Sequence, residues 1–236
     1  MTILTVIQNF CVRTGLPKPN FVASSTDAQI IQLLALANEV CEDICERQNW
    51  QELVQEATFT TIASENQGPI TTIAPNGFLR ILQETIFDRT LRLPLYGPLT
   101  ADKWQAIKAL PTTGPLYRYR IRGGELLFSP AAAAGHLCAF EYVSSWIVQS
   151  AVGAGQSSFL ADSDTFVLDD RLLLAGLRWK WKAEKGLDYA EEFRRYEMMI
   201  SNMAGVDGTK PRISMDGGCQ SAYPGIFISP GNWNLP

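Results

Sequence analysis

The sequence predicts an α+β fold: a helical bundle built from N- and C-terminal helices, a β-rich insertion between them, and an extended C-terminal arm. Three observations predict it. Apolar residues recur at helical spacing near both ends, short β-rich runs broken by Gly, Pro, Asn and Asp fill the middle, and residues after 205 are rich in Gly, Pro and Ser. The expected divisions are 1–55 for the N-terminal helices, 56–148 for the insertion, 149–205 for a helical hairpin that completes the bundle, and 206–236 for the arm.

Ile3, Ile7, Phe10 and Cys11 mark one face of a short helix over about 2–14, stopped by Gly15 and Pro17. Thr26 with Gln29 forms a capping-box pattern, and Ile30, Leu34, Ala37, Cys41 and Ile44 trace a second helix to about Trp50. Its other face carries Glu39, Glu42, Asp43 and Glu46, most simply a solvated surface. TFTTIA, FLRILQETIF and TLRLPL then read as strands of a meander. Thr100 caps a brief helix carrying Trp104, Ile107 and Leu110, after which YRYRIR and ELLFSP flank Gly123 and Gly124 as a hairpin, followed by the strand run LCAFEYVSSWIV. The small, polar stretch 149–158 reads as a loop. Leu173, Leu177 and Trp181 repeat every four residues behind Asp169 and Asp170, and Gly186 ends that helix. The next helix starts at Asp188 and Glu191, and Tyr189, Phe193, Tyr196, Ile200 and Met203 form its core stripe. These last two helices are expected to pack on the helix over 26–50.

Composition narrows the function. The 236 residues are 46% hydrophobic but only 19% charged, against a norm of about 25%. So thinly charged an exterior suits a subunit that covers much of itself with other chains. The net charge of −4 argues against a general nucleic-acid binder. No secretory signal or membrane span is expected, since the first twelve residues lack Lys and Arg and every apolar run is short. Five scattered cysteines, Cys11, Cys41, Cys45, Cys138 and Cys219, read as buried thiols of a reducing compartment.

His136 is the single histidine, so two-histidine zinc motifs cannot be built, and it reads as a turn residue at the start of a strand. Cys41 and Cys45 lack further ligands, and the run ADSDTFVLDD places Val167 and Leu173 where a calcium loop needs Gly and Glu. No phosphate-binding loop, dinucleotide fingerprint, nucleophile elbow or deaminase motif is present, so the chain is expected not to be an enzyme and to need no cofactor or metal. Arg118, Arg120 and Arg122 alternate along one strand, with Tyr117, Tyr119 and Ile121 on its opposite face. Such a row can track phosphates or meet acids of a neighbouring chain, or simply be solvated. Arg178, Lys182 and Lys185 make a similar stripe on the penultimate helix, with Lys180 to one side. Tyr223, Phe227 and Trp233 are the large anchors that make the C-terminal stretch a docking arm rather than an entropic tail.

Taken in order, LPLYGPLTADKWQAIKAL, YRYRIRGGELLFSPAAAAGHLCAFEYVS and LDDRLLLAGLRWKWKAEKGLDYAEEFRRYE resemble the head-to-tail adaptor (connector) proteins of short-tailed bacteriophages. TILTVIQNFCVRTGLPKP and the long helix ending in ERQNW are similar as well, so the resemblance spans about residues 1–205, with LRWKWKAEKGLDYAEEF its most specific element. It is a likeness of segment character and order. It implies a structural virion protein at the head-tail junction, assembled in the host cytoplasm. Members form a ring, commonly of twelve copies, beneath the portal protein, extend the channel for passing double-stranded DNA, and present a platform to tail or nozzle proteins. Another neck or tail ring component is the nearest alternative. A virion-associated cell-wall hydrolase is more distant, because Glu191 and Glu192 sit on a helix face rather than as paired carboxylates in a cleft.

Overall fold

A computed structural model describes residues 1–109 and 116–208. Helices from both ends of the chain pack together, and antiparallel sheets lie between them in sequence. Helix α1 (Ile3–Thr14) begins at Thr2, whose side chain accepts from the Thr5 amide, and ends in a left-handed Gly15. Helix α2 (Ala28–Arg47) starts one residue later than the capping-box pattern suggests. The Asp27 carboxylate, rather than Thr26, accepts from the Gln29 amide at 2.9 Å. It also ends before Trp50, whose indole N–H donates to the Ile44 carbonyl at 2.8 Å and folds the chain under the helix.

The insertion holds strands β1 (Val54–Thr60) and β2 (Asn66–Pro69), the single-turn helix α3 (Ile70–Ile73), and strands β3 (Phe78–Ile81), β4 (Phe87–Asp88) and β5 (Leu93–Pro94). Helix α4 (Ala101–Ala109) follows, with Trp104 buried. Then come β6 (Arg118–Arg122), β7 (Glu125–Ser129) and β8 (Leu137–Ser144). The expected meander is not what forms. Strand β8 takes β1 along its whole length on one side and β4, then β3, on the other, while β2, β7 and β6 make a separate sheet. Strand β8 gives Cys138, Phe140 and Tyr142 to one face as a strand's two-residue period requires. Gly123 and Gly124, both at positive φ, make the tight β6–β7 turn that the sequence predicts. Short strands β9 (Val148–Gln149), β10 (Gly155–Gln156) and β11 (Thr165–Phe166) pair inside the stretch expected to be a loop and just after it.

Helix α5 (Asp170–Glu184) is capped by Asp169, which accepts from the Arg171 amide at 2.8 Å. It ends in a left-handed Gly186, with Gly186 N–H bonded to Ala183 and Leu187 N–H to Lys182, a Schellman ending. Helix α6 (Ala190–Asp207) packs beside it.

Two cores result. The helical core joins α1, α2, α5 and α6 with Trp50, Leu53, Phe159 and Phe166, and Val143 of β8 enters it from the sheet. The β core gathers Ile86, Tyr119, Phe128, Phe140 and Tyr142 with their neighbours. Within the bundle Phe10 meets Trp181 edge-on at 5.7 Å, and Ile3 N–H donates to the Asp164 carbonyl, so the loop before α5 holds α1. The acids of ADSDTFVLDD serve this loop. Asp162 accepts from the amides of Val22 and Ala23, and the buried Asp164 accepts from those of Leu160 and Ala161.

The α6 stripe is corrected at its N-terminal end. Tyr196 and Ile200 are buried, but Tyr189, which precedes the helix, is 44% exposed and Phe193 38%, and both only lean against Trp179. A seven-residue offset on a straight helix drifts by about 20°, which carries Phe193 toward the rim while Tyr196 faces α2 and α5.

Candidate functional site

Strand β6 is half of the hairpin that closes on Gly123 and Gly124, so its two faces are fixed by its pairing with β7, Arg118 opposite Ser129 through Arg122 opposite Glu125. Tyr119 points inward, fully buried, and burial, with Glu84 adding to it, pushes its hydroxyl pKa up to about 12. Arg118, Arg120 and Arg122 take the opposite face, and among the described residues none of the three makes an ion pair. The parallel bridge from Tyr96 to Arg118 and the bond from Leu99 N–H to the Tyr119 carbonyl cover the outer edge near Arg118 and Tyr119. Arg118 and Arg120 are half-buried and Arg122 is exposed, their backbone positions about 6.6 Å apart along the strand.

The stripe Arg178, Lys182 and Lys185 is split by the fold. Lys182 donates to Glu192 of α6 at 2.6 Å, which holds that carboxyl below its usual range, and Lys185 donates to Gln32 of α2 at 2.8 Å. Lys180, largely buried, reaches Glu39 at 2.6 Å. These three lysines join helices inside one subunit. Arg178, half-buried, lies on another surface, where the structure brings it beside residues that periodicity does not connect.

That surface is a groove running over α5 between the end of α1 and α6. One part, about 290 Å³, is lined by Arg13, Arg171, Leu174, Arg178, Arg195 and Met199 among others. It continues through Arg171, Arg195 and Met199 into a part of about 410 Å³ that adds Arg194, Met198 and Met203. Asp169 pairs with Arg171, and Glu191 with both Arg194 and Arg195, which draw the Glu191 pKa down to about 2. Arg13 and Arg178 have no ion pair among the described residues. The seven-residue step from Arg171 to Arg178 was a readable signal for part of this cluster. Arg13 was not, because only the packing of α1 on α5 carries it there.

His136 sits just before β8, as the sequence suggests, but with a partner it does not reveal. Its Nδ1 lies 2.9 Å from Oδ2 of Asp88, which is fully buried, and Asp88 Oδ1 accepts from the amides of Thr90 and Leu91. The pair locks the β4–β5 turn to the start of β8. Cys11, Cys41, Cys45 and Cys138 are free thiols and buried, and burial pushes the Cys138 thiol up to about 12, with Asp88 adding to it. Among the described residues no group of three or more His, Cys, Asp or Glu side chains is placed to hold a metal ion, and no helix is long and apolar enough to cross a membrane. Tyr223, Phe227, Trp233 and Cys219 lie outside the described residues. No protein-family model matches this chain, and no curated protein matches it.

Proposed function

We propose that this chain is a structural virion protein, a head-to-tail adaptor whose copies, about twelve by analogy with the proteins it resembles, form a ring under the portal. The ring extends the DNA channel and offers the platform to which tail or nozzle proteins attach. It works without catalysis or cofactor. The observation that carries this reading is the pairing of a bundle made from both chain ends with a separately cored β insertion that carries three arginines in a row, none ion-paired among the described residues. A bundle of that kind gives a rigid body for a ring wall, and the insertion gives each copy a basic strand face.

On this reading Arg118, Arg120 and Arg122 face the channel. Contacts to phosphate oxygens position DNA without reading its sequence, which is what a conduit for any genome requires. A ring multiplies the row by the number of copies, so a charge that is weak on one subunit becomes a collar. The arm carrying Tyr223, Phe227 and Trp233 is the proposed hold on portal.

Reversing all three arginines to glutamate is expected to leave the fold intact, because none makes an ion pair among the described residues, and to reduce the genome-filled fraction of particles at least about tenfold. Conversion to lysine, which keeps the charge, should restore filling. The measurement is the ratio of full to empty particles in a density gradient. Normal filling in the glutamate variant removes β6 from the channel.

A further inference from the structure

We propose that the arginine groove over α5 is the seat for the acidic outer face of α2 from a second copy of the chain. The proposal rests on the ring reading above and names the contact that would build the ring. Five arginines, Arg13, Arg171, Arg178, Arg194 and Arg195, line the groove; Asp169 takes Arg171, and Glu191 takes Arg194 and Arg195, which leaves Arg13 and Arg178 without an ion pair among the described residues and the groove still net positive in a chain whose net charge is negative. The floor is apolar, made by Leu174, Ala175, Met199 and Met203, and methionine adapts to the shape of what lies on it.

The complementary surface is on the same molecule. The side of α2 turned away from the bundle exposes Ile31, Ala35, Glu39, Glu42 and Glu46, a single helical stripe with an apolar end and an acidic end. Among the described residues Glu42 and Glu46 have no ion-pair partner, and Glu39, although it takes Lys180, remains 59% exposed. Glu39 and Glu46 are seven residues apart, as are Arg171 and Arg178. Each pair is therefore spaced two helical turns, about 10.5 Å, along its own axis. Two helices laid side by side can then match carboxylate to guanidinium twice, while Ile31 and Ala35 rest on the methionines.

These surfaces cannot satisfy each other within one subunit. α2 is held by its other sides, through Val40 against Gly176 and through Asp43 and Arg47 against Tyr196 and Glu197 of α6. The contact must be made between copies. Because the patches are different, it is a head-to-tail contact, which repeats from copy to copy and closes into a ring when its rotation permits.

Charge exchange tests it. One full-length variant carries Arg171→Glu and Arg178→Glu, the other Glu39→Arg and Glu46→Arg, and self-association at several hundred micromolar in low salt is followed by sedimentation. Thermal melts check that both remain folded. Each variant alone is expected to lose association by about 100-fold or more. An equimolar mixture is expected to regain it, since each groove then meets an α2 of opposite charge. A parent chain that stays monomeric, or an arginine variant that associates like the parent, overturns the proposal. So does loss without recovery on mixing, since the groove and the α2 stripe then do not meet each other. If mixing restores association but a tagged chain is absent from the neck of particles, this contact stands and the adaptor reading falls. If the chain forms a neck ring that charge exchange does not disturb, the reverse holds.

Discussion

Tyr196→Ala is expected to destabilise the fold by about 3–5 kcal/mol, the range for deleting a fully buried aromatic ring. Tyr196 is 0% exposed and stands where α6 crosses α2 and α5. Its ring lies 6.0 Å from that of Trp179 and beneath the Arg47 guanidinium at 5.4 Å, and its hydroxyl donates to Asp43 Oδ2 at 2.8 Å. Burial, followed by the neighbouring Asp43 carboxylate, raises its hydroxyl pKa well above the usual range, so the group stays a neutral donor at any ordinary pH. Truncation leaves a cavity and removes one partner from Asp43. Tyr196→Phe keeps the packing and loses only the hydrogen bond to a charged acceptor, about 1.5–3 kcal/mol. Phe193→Ala, at the exposed rim, should cost about 1 kcal/mol. Urea denaturation of the three variants checks this order. Equal losses at 193 and 196 would mean that α6 packs by a different face.

Gly176→Leu is expected to be the most damaging change on α5. A Cβ placed on Gly176 would lie 2.5 Å from Val40 Cγ1 and 3.1 Å from the Tyr196 ring, so α5 approaches α2 and α6 here closely enough to exclude a methyl group. Valine is stiff at χ1 and cannot swing aside. A glycine inside a helix costs about 1 kcal/mol of propensity relative to alanine, and that cost is what allows the close approach. Leucine should lower stability by about 3 kcal/mol or more, a fall of roughly 6–12 °C in Tm for a chain of this size. Gly176→Ala should fall less, because its propensity gain offsets part of the clash. Adding Val40→Ala should recover part of the alanine loss. A Gly176→Leu protein that melts with the parent would show that the three helices do not meet at this point.

The helices were legible because their period is local. Gly15, Asp169, Gly186 and the leucines of α5 each declare a start, a stop or a face within one segment. The β6–β7 hairpin was equally legible, since two glycines in a tight turn fix register without help from elsewhere. The partners of β8 were not. Pairing with β1, β3 and β4 depends on which strands the folded chain brings alongside, and nothing in LCAFEYVS states it. The candidate surfaces divide in the same way. The alternation of Arg118, Arg120 and Arg122 with buried Tyr119 is a property of one strand, whereas the groove needs Arg13 of α1, Arg178 of α5 and Arg195 of α6 in one place. The lysines read as a stripe are absorbed because Glu192, Gln32 and Glu39 arrive from other helices to meet them. Phe193 shows the limit of periodicity on a single helix, where offsets of three and four let a stripe wander to the edge of the core.

Single-particle imaging of virions assembled with a labelled copy of the chain decides whether it forms a ring at the head-tail junction. The expected image is a closed ring of labelled subunits coaxial with the portal and directly beneath it, with the β6 face lining the channel. Label at the tail tip, on the capsid shell, or absent from the mature particle would contradict it.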